Sequence, residues 1–177
     1  LFWNCPNVSI SQLKRLYRDS LKFVSIGADV TGIEEAAFAS CSILDSVYIS
    51  EGVTSIEDGA FQYCRKLKSV NIPGSVTSIG NNAFAQCGLT SISIPESVTS
   101  IGYGVFSGCP LPNGVLYIND ILYDYIGIMP DSTTIVVKDG TKKIADGAFA
   151  DCRGLTSITI PESVTSIGDG AFANCSG

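Results

Sequence analysis

Cysteine is the residue type in this chain that combines reactive chemistry with a fixed spacing. Seven times a phenylalanine stands three residues before a cysteine: Phe2/Cys5, Phe38/Cys41, Phe61/Cys64, Phe84/Cys87, Phe106/Cys109, Phe149/Cys152 and Phe172/Cys175. A thiol serves as zinc ligand, nucleophile or disulfide partner, and the surroundings decide which. Zinc needs clustered ligands such as paired C-x-x-C motifs, whereas these cysteines lie 22 or more residues apart. A nucleophilic thiol or serine needs a base, and the chain has no histidine. An odd number of cysteines, all in one sequence context, predicts a column of like positions rather than pairs. Stacked neighbours fall inside the Cα window of a disulfide, but parallel Cβ vectors disfavour the bond and a small buried thiol suits such a corner. The expectation is reduced core thiols, with no metal site and no cofactor.

Carboxylates are the remaining candidates for catalysis, since two of them about 5 to 9.5 Å apart suffice for glycoside hydrolysis. Here the acids repeat: Asp58, Asp146 and Asp169 recur at one turn, and Glu96 and Glu162 at another. Recurrence at equivalent places fits turn and cap residues, not one unique site. No phosphate loop of the form G-x-x-x-x-G-K-S/T, no strand-linked G-x-G-x-x-G and no D-x-D/N-x-D/N-G calcium loop occurs. The chain is therefore expected to have no catalytic residues and not to be an enzyme.

The Phe column itself spaces at 36, 23, 23, 22, 43 and 23 residues, so the unit is 23 residues and two gaps carry insertions. The clearest copy is LTSITIPESVTSIGDGAFANC, Leu155 to Cys175, with near-identical words from Leu67 and Leu89. In it Leu155, Ile158 and Ile160 are apolar while Ser157 and Thr159 are small and polar, the alternation of a strand buried on one face. Pro161 ends the strand because it has no N–H to donate. Val164 and Ile167 mark a second extended side, and Gly168-Asp169-Gly170 a turn. Asp169 is placed to cap a short helical piece over 171–174. Each coil thus reads as strand, turn, short strand, turn and helical or 3-10 corner, stacked in parallel at about 4.8 Å, with a phenylalanine spine running through the corners.

The L-x-x-I-x-I pattern followed by V-T-x-I-G-x-x-A-F-x-x-C closely resembles the BspA-like leucine-rich repeat family over all of the chain except the insertions. The resemblance implies a repeat solenoid, a right-handed leucine-rich-repeat array of short parallel β-strands, on exported or cell-surface proteins that contact host or neighbouring-cell molecules. It implies no reaction. A three-sided parallel β-helix is the alternative architecture. The whole chain, 1–177, is expected to form a single array. It opens and stops inside a repeat, as a segment of a longer protein would.

Departures from the repeat are where distinctive side chains concentrate. An insertion at about 6–20 holds a capping box, Ser9 with Gln12, and an apolar stripe of Ile10, Leu13, Leu16 and Tyr17. This predicts a helix packed on the array's flank or, more sharply, a basic partner-binding helix using Lys14, Arg15 and Arg18. The second insertion, 110–131, contains two β-prone runs over 115–126 joined by Asn119-Asp120, a β-hairpin with a two-residue turn. Tyr117, Tyr123 and Tyr125 are expected on one face of it, as a binding element or as a seal on the adjacent coils. The main candidate surface is the solvent face of the first sheet, with stacked outward positions Ser25, Tyr48, Asn71, Ser93, Val136 and Thr159, of which Tyr48, Asn71 and Ser93 are expected to bind together with the hairpin tyrosines.

Net charge is −6, with 11 Lys plus Arg residues and no dense basic face. Counterion release on nucleic acid or an anionic membrane surface is therefore not expected. No apolar run approaches the roughly 20 residues of a membrane span. The sequence predicts a non-enzymatic recognition solenoid with a protein or glycan partner, secreted or at the cell surface. A passive spacer that presents another domain is the competing reading, argued from the near-identity of the coils.

Overall fold

The structure, a computed structural model, describes residues 19–177 and the short strand Phe2–Trp3. The helix expected at 6–20, with Lys14, Arg15 and Arg18, lies outside the described residues apart from a turn at Asp19 and Ser20, and Cys5 also lies outside them. The strands are β1 Phe2–Trp3, β2 Phe23–Ile26, β3 Gly32–Ile33, β4 Ser46–Ile49, β5 Ser55–Ile56, β6 Ser78–Ile79 and β7 Ser100–Ile101. They continue with β8 Gly114–Ile118, β9 Ile121–Ile126, β10 Thr133–Val136, β11 Lys143–Ile144, β12 Leu155–Thr159 and β13 Ser166–Ile167. The chain divides into two compact units, one ending at Leu111 and one spanning Pro112–Gly177.

The first unit is a parallel β-solenoid. Its sheets run β1-β2-β4 and β3-β5-β6-β7, and the registers Ser25↔Tyr48, Ser55↔Ser78 and Ser78↔Ser100 reproduce the sequence period. Alternation sets which side is buried: Val24, Ile26, Val47 and Ile49 point inward, between outward Phe23, Ser25, Ser46 and Tyr48. Beyond β4 the equivalent segments 69–72 and 91–94 carry no strand pairing. The Ser50 N–H donates to the Ile26 carbonyl at 3.3 Å, and the prolines that replace it in the next coils, Pro73 and Pro95, have no such donor.

The corners are not helical, and no helix occurs among the described residues. The N–H groups of Ala37, Ala39 and Cys41 close turns on the Glu34, Ala36 and Phe38 carbonyls at 3.1 Å each. Those of Ala36, Phe38 and Ser40 instead donate to Asp58, Ala60 and Gln62 of the next coil, at 2.8, 2.7 and 2.6 Å. A helix needs successive amides aimed along one axis, so alternating them between own coil and neighbour excludes it. The alternation is achieved by left-handed residues two before and two after each Phe: Ala36 and Ser40, Gly59 and Tyr63, Asn82 and Gln86, Gly104 and Gly108. Only glycine adopts that conformation freely, which explains the recurrent G-A-F.

The expected spine forms. Phe38, Phe61, Phe84 and Phe106 stack face to face with centroid separations of 5.2, 5.2 and 6.0 Å. The backbone of β1 pairs with β2 through Phe2↔Ser25, the register of an L-x-x-I-x-I strand and not of a corner.

The second unit stacks coils in the same way, with sheets β13-β11-β9-β8 and β10-β12. The insertion is the expected hairpin, β8 and β9 antiparallel, closed by Asn119-Asp120 with Ile118 opposite Ile121. Asn119 takes the left-handed conformation, φ 55°, which such a two-residue turn requires. β9 also pairs in parallel with β11, Ile121↔Lys143, so it doubles as the short second strand of a coil.

Candidate recognition surface

The outward side of the first sheet in the first unit presents two parallel rows. One is Phe23, Ser46, Ser69 and Ser91; the other is Ser25, Tyr48, Asn71 and Ser93, the row that contains the expected Tyr48, Asn71 and Ser93. Tyr48 is 56% exposed and Phe23 39% exposed, and the others are short hydroxyl or amide side chains. The rows are positioned by the inward Val and Ile residues, because a one-residue slip of β2 or β4 would turn every apolar side chain into water. Charges stand in the row alongside, Lys22, Asp45 and Lys68. In the second unit Val136, 71% exposed, pairs with exposed Thr159 in the corresponding position.

The hairpin tyrosines are not brought together on one face. The pairing shifts between Leu116 and Tyr117, so that Leu116 lies opposite Asp124 and Tyr117 opposite Leu122, leaving Tyr123 as the extra residue of a bulge. Tyr123 turns inward and is 5% exposed. The Tyr117 hydroxyl accepts the Lys138 N–H at 2.9 Å. Tyr125 places its ring 6.4 Å from that of Phe149, and its N–H donates to the Ala148 carbonyl at 2.9 Å, the bond that the spine phenylalanines make elsewhere. Each ring is thus engaged with the coils.

Of the six described thiols, five are buried. The Sγ of Cys64, Cys87, Cys109 and Cys175 each donates to a phenylalanine carbonyl of the preceding coil, Phe38, Phe61, Phe84 and Phe149, at 3.1 Å. The neighbouring Cys87 thiol and burial hold Cys64 firmly protonated. Burial pushes Cys109 up to about 12 and Cys152 up to about 11. Such thiols are poor nucleophiles, and no group of three or more His, Cys, Asp or Glu suited to a metal ion occurs among the described residues.

Among the recurrent acids, Asp58 bridges coils instead of capping a helix. The Asp58 carboxylate accepts the Asn81 N–H at 2.7 Å and its Nδ2 at 3.1 Å, and Asn81 Oδ1 in turn accepts the Tyr103 N–H at 2.8 Å. Asp169, expected to cap a helical piece, has no helix to cap, because its corner is built of the same turns. Asp124 on β9 differs: burial raises its carboxyl to about 6 against a hydrogen bond from the Tyr125 N–H.

Phe23 is the residue that the sequence reading passed over. It is the eighth phenylalanine, the one without a cysteine three residues on, and it sits in a column otherwise filled by Ser46, Ser69, Ser91, Thr134 and Ser157. Aligning columns by the 23-residue period exposes that exception.

A family model described as the BspA type leucine rich repeat region matches residues 3–113 and 128–177, in six copies. Among solved structures, a leucine rich repeat protein of T. pallidum is 31% identical, with TM-score 0.60, over 92% of this chain and 68% of that one. A leucine-rich repeat protein of Eubacterium ventriosum is 27% identical, TM-score 0.62, over 94% of this chain and 55% of that one. A protein of Faecalibacterium prausnitzii described as a leucine rich cell surface protein is 35% identical, TM-score 0.54, over 89% of this chain and 53% of that one. The chain thus spans about two thirds of the first and little more than half of the other two. No curated protein matches it.

Proposed function

Since the chain belongs to the BspA-type leucine-rich repeat family, we propose that it is a non-enzymatic recognition solenoid of an exported or cell-surface protein, binding a protein or glycan partner through the outward face of β2 and β4. The observation that carries this reading is the exposure of Tyr48 and Phe23 on a face whose coil neighbours are small and polar. The coils leave more than half of Tyr48 in water, and tyrosine at an interface offers area and a hydroxyl at low entropic cost. The F. prausnitzii relative, described as a cell surface protein, supports the location. Among the described residues no helix is long and apolar enough to cross a membrane.

The passive spacer keeps one specific support, the serine repetition at 69, 91 and 93, which leaves much of the face uniform. The two readings separate on a steric block. Asn71→Arg projects a long side chain beside Tyr48 without touching the core; it is expected to abolish binding to the matrix protein or glycan that captures the unmodified chain. Unchanged capture by Asn71→Arg places recognition elsewhere, and a chain that captures nothing favours the spacer.

A further inference from the structure

The charges that flank Tyr48 are sorted by side, and this narrows the partner's chemistry. The first unit has four cations among its described residues, Lys22, Arg65, Lys66 and Lys68, all exposed and all at the turn that leads into the first sheet. Asp19 and Asp45 share that edge. The Asp45 N–H donates to the Lys22 carbonyl at 2.9 Å, and Lys68 holds the same place one coil on, so Asp45 stands between two cations. The turn that leaves the sheet carries Asp29, Glu51 and Glu96 and no cation. Asp19 and Glu96 are engaged within the chain. Without them, one edge still has four cations against Asp45, and the other has Asp29 and Glu51 alone. From Asp45 to Glu51 the chain runs through β4 for about 20 Å, and Tyr48, 56% exposed, stands midway.

A face with opposite signs on its two edges selects against partners of one sign. A sulfated or uronate polysaccharide laid across it gains at the lysines and loses at Asp29 and Glu51. Run along the cationic edge instead, it meets Asp45 between Lys22 and Lys68. An uncharged glycan leaves both edges unused. A folded protein can set acids and bases about 20 Å apart on one surface, the span of these strands, with a cavity for a ring between them. Exposed charges at a rim add little affinity apiece but fix orientation and speed encounter, whereas an aromatic anchor at the centre holds the complex together.

Building on the recognition reading above, we propose that the partner of this face is a folded protein, seated in one orientation: an acidic rim against Lys22, Arg65, Lys66 and Lys68, a basic rim against Asp29 and Glu51, and a cavity that takes Tyr48.

The test is binding kinetics of the full chain on immobilised laminin, type I collagen and vitronectin, with heparin and cellohexaose as glycan comparators, at low and high salt. At least one protein is expected to bind, with an on-rate that falls about tenfold or more at high salt. Arg65→Glu/Lys66→Glu/Lys68→Glu and Asp29→Lys/Glu51→Lys should each slow association to a similar degree and leave the off-rate nearly unchanged. Tyr48→Ser should raise the off-rate about tenfold or more, and Lys142→Glu/Lys143→Glu, in the second unit, should change neither rate. A protein that binds with the same on-rate to both edge variants overturns the proposal, as does one that Asp29→Lys/Glu51→Lys binds equally or better. If a glycan alone binds, and Tyr48→Ser weakens it, the protein proposal falls and the recognition reading stands. If neither class binds, both fall.

Discussion

Tyr125 stands over Phe149, ring centroids 6.4 Å apart and planes tilted by 36°, in the place that a phenylalanine fills in the regular coils. The hairpin therefore continues the spine of the second unit by substituting a tyrosine into it. Replacing Tyr117, Tyr123 and Tyr125 together by serine is expected to lower the melting temperature, with Tyr125→Ala alone costing about 2–3 kcal/mol as a half-buried aromatic truncation. Denaturant unfolding checks this. A triple variant of unchanged stability would free the hairpin for a role in binding.

The spine should show its position dependence in energy. Phe84 is fully buried between Phe61 and Phe106, whereas Phe172 stacks on Phe149 at 5.5 Å and is partly exposed. Phe84→Ala is expected to cost about 3–5 kcal/mol and Phe172→Ala clearly less. Equal losses would contradict a stack whose members cover one another.

The thiols should be silent until the chain unfolds. Intact mass with and without reductant is expected to show no disulfide among the described cysteines, and thiol reagents to react at the rate of opening. Cys64→Ser should cost about 1–3 kcal/mol, because a hydroxyl replaces a thiol in a buried site that is shaped around Sγ and its bond to the Phe38 carbonyl.

Stability should fall at both of two pH windows, for the same reason. Asp124 is raised from 3.8 to about 6, so the unfolded chain releases this proton first and stability present below about pH 4 is lost as pH rises through about 6. Cys109 and Cys152 are raised from 9.0 to about 12 and about 11, so their contribution is complete below about pH 9 and is lost above it. Asp124→Asn is expected to flatten the acidic slope of the melting temperature while leaving the alkaline one. A slope that persists unchanged in that variant assigns it to another group.

The 23-residue period made the coils, the spine and the thiol column legible, because each depends on residue type at a repeated position, and the turn residues Asn119-Asp120 between two β-prone runs marked the hairpin. What stayed hidden depends on backbone direction. A-F-x-x-C reads equally well as one turn of helix, and only the alternate donation of Phe38 N–H to the next coil and Cys41 N–H to its own shows a chain of turns. The bulge at Tyr123 is likewise invisible in a strand pattern of period two, yet it separates three tyrosines that simple alternation puts on one face. Phe2 misled for a different reason, since its cysteine three residues on mimics a corner while its backbone pairs with β2. For the candidate surface, Tyr48 was visible as an outward position, whereas Phe23 was passed over and stands out only against the small hydroxyl residues of its column.

The most direct measurement of the central claim compares the intact chain with Tyr48→Ser for binding to a panel of purified matrix proteins and oligosaccharides, at matched folded fraction. The account predicts that the intact chain binds at least one member and that the variant loses about 30-fold or more in affinity with its melting temperature unchanged. Equal affinity of the two, or an intact chain that binds nothing, would contradict it.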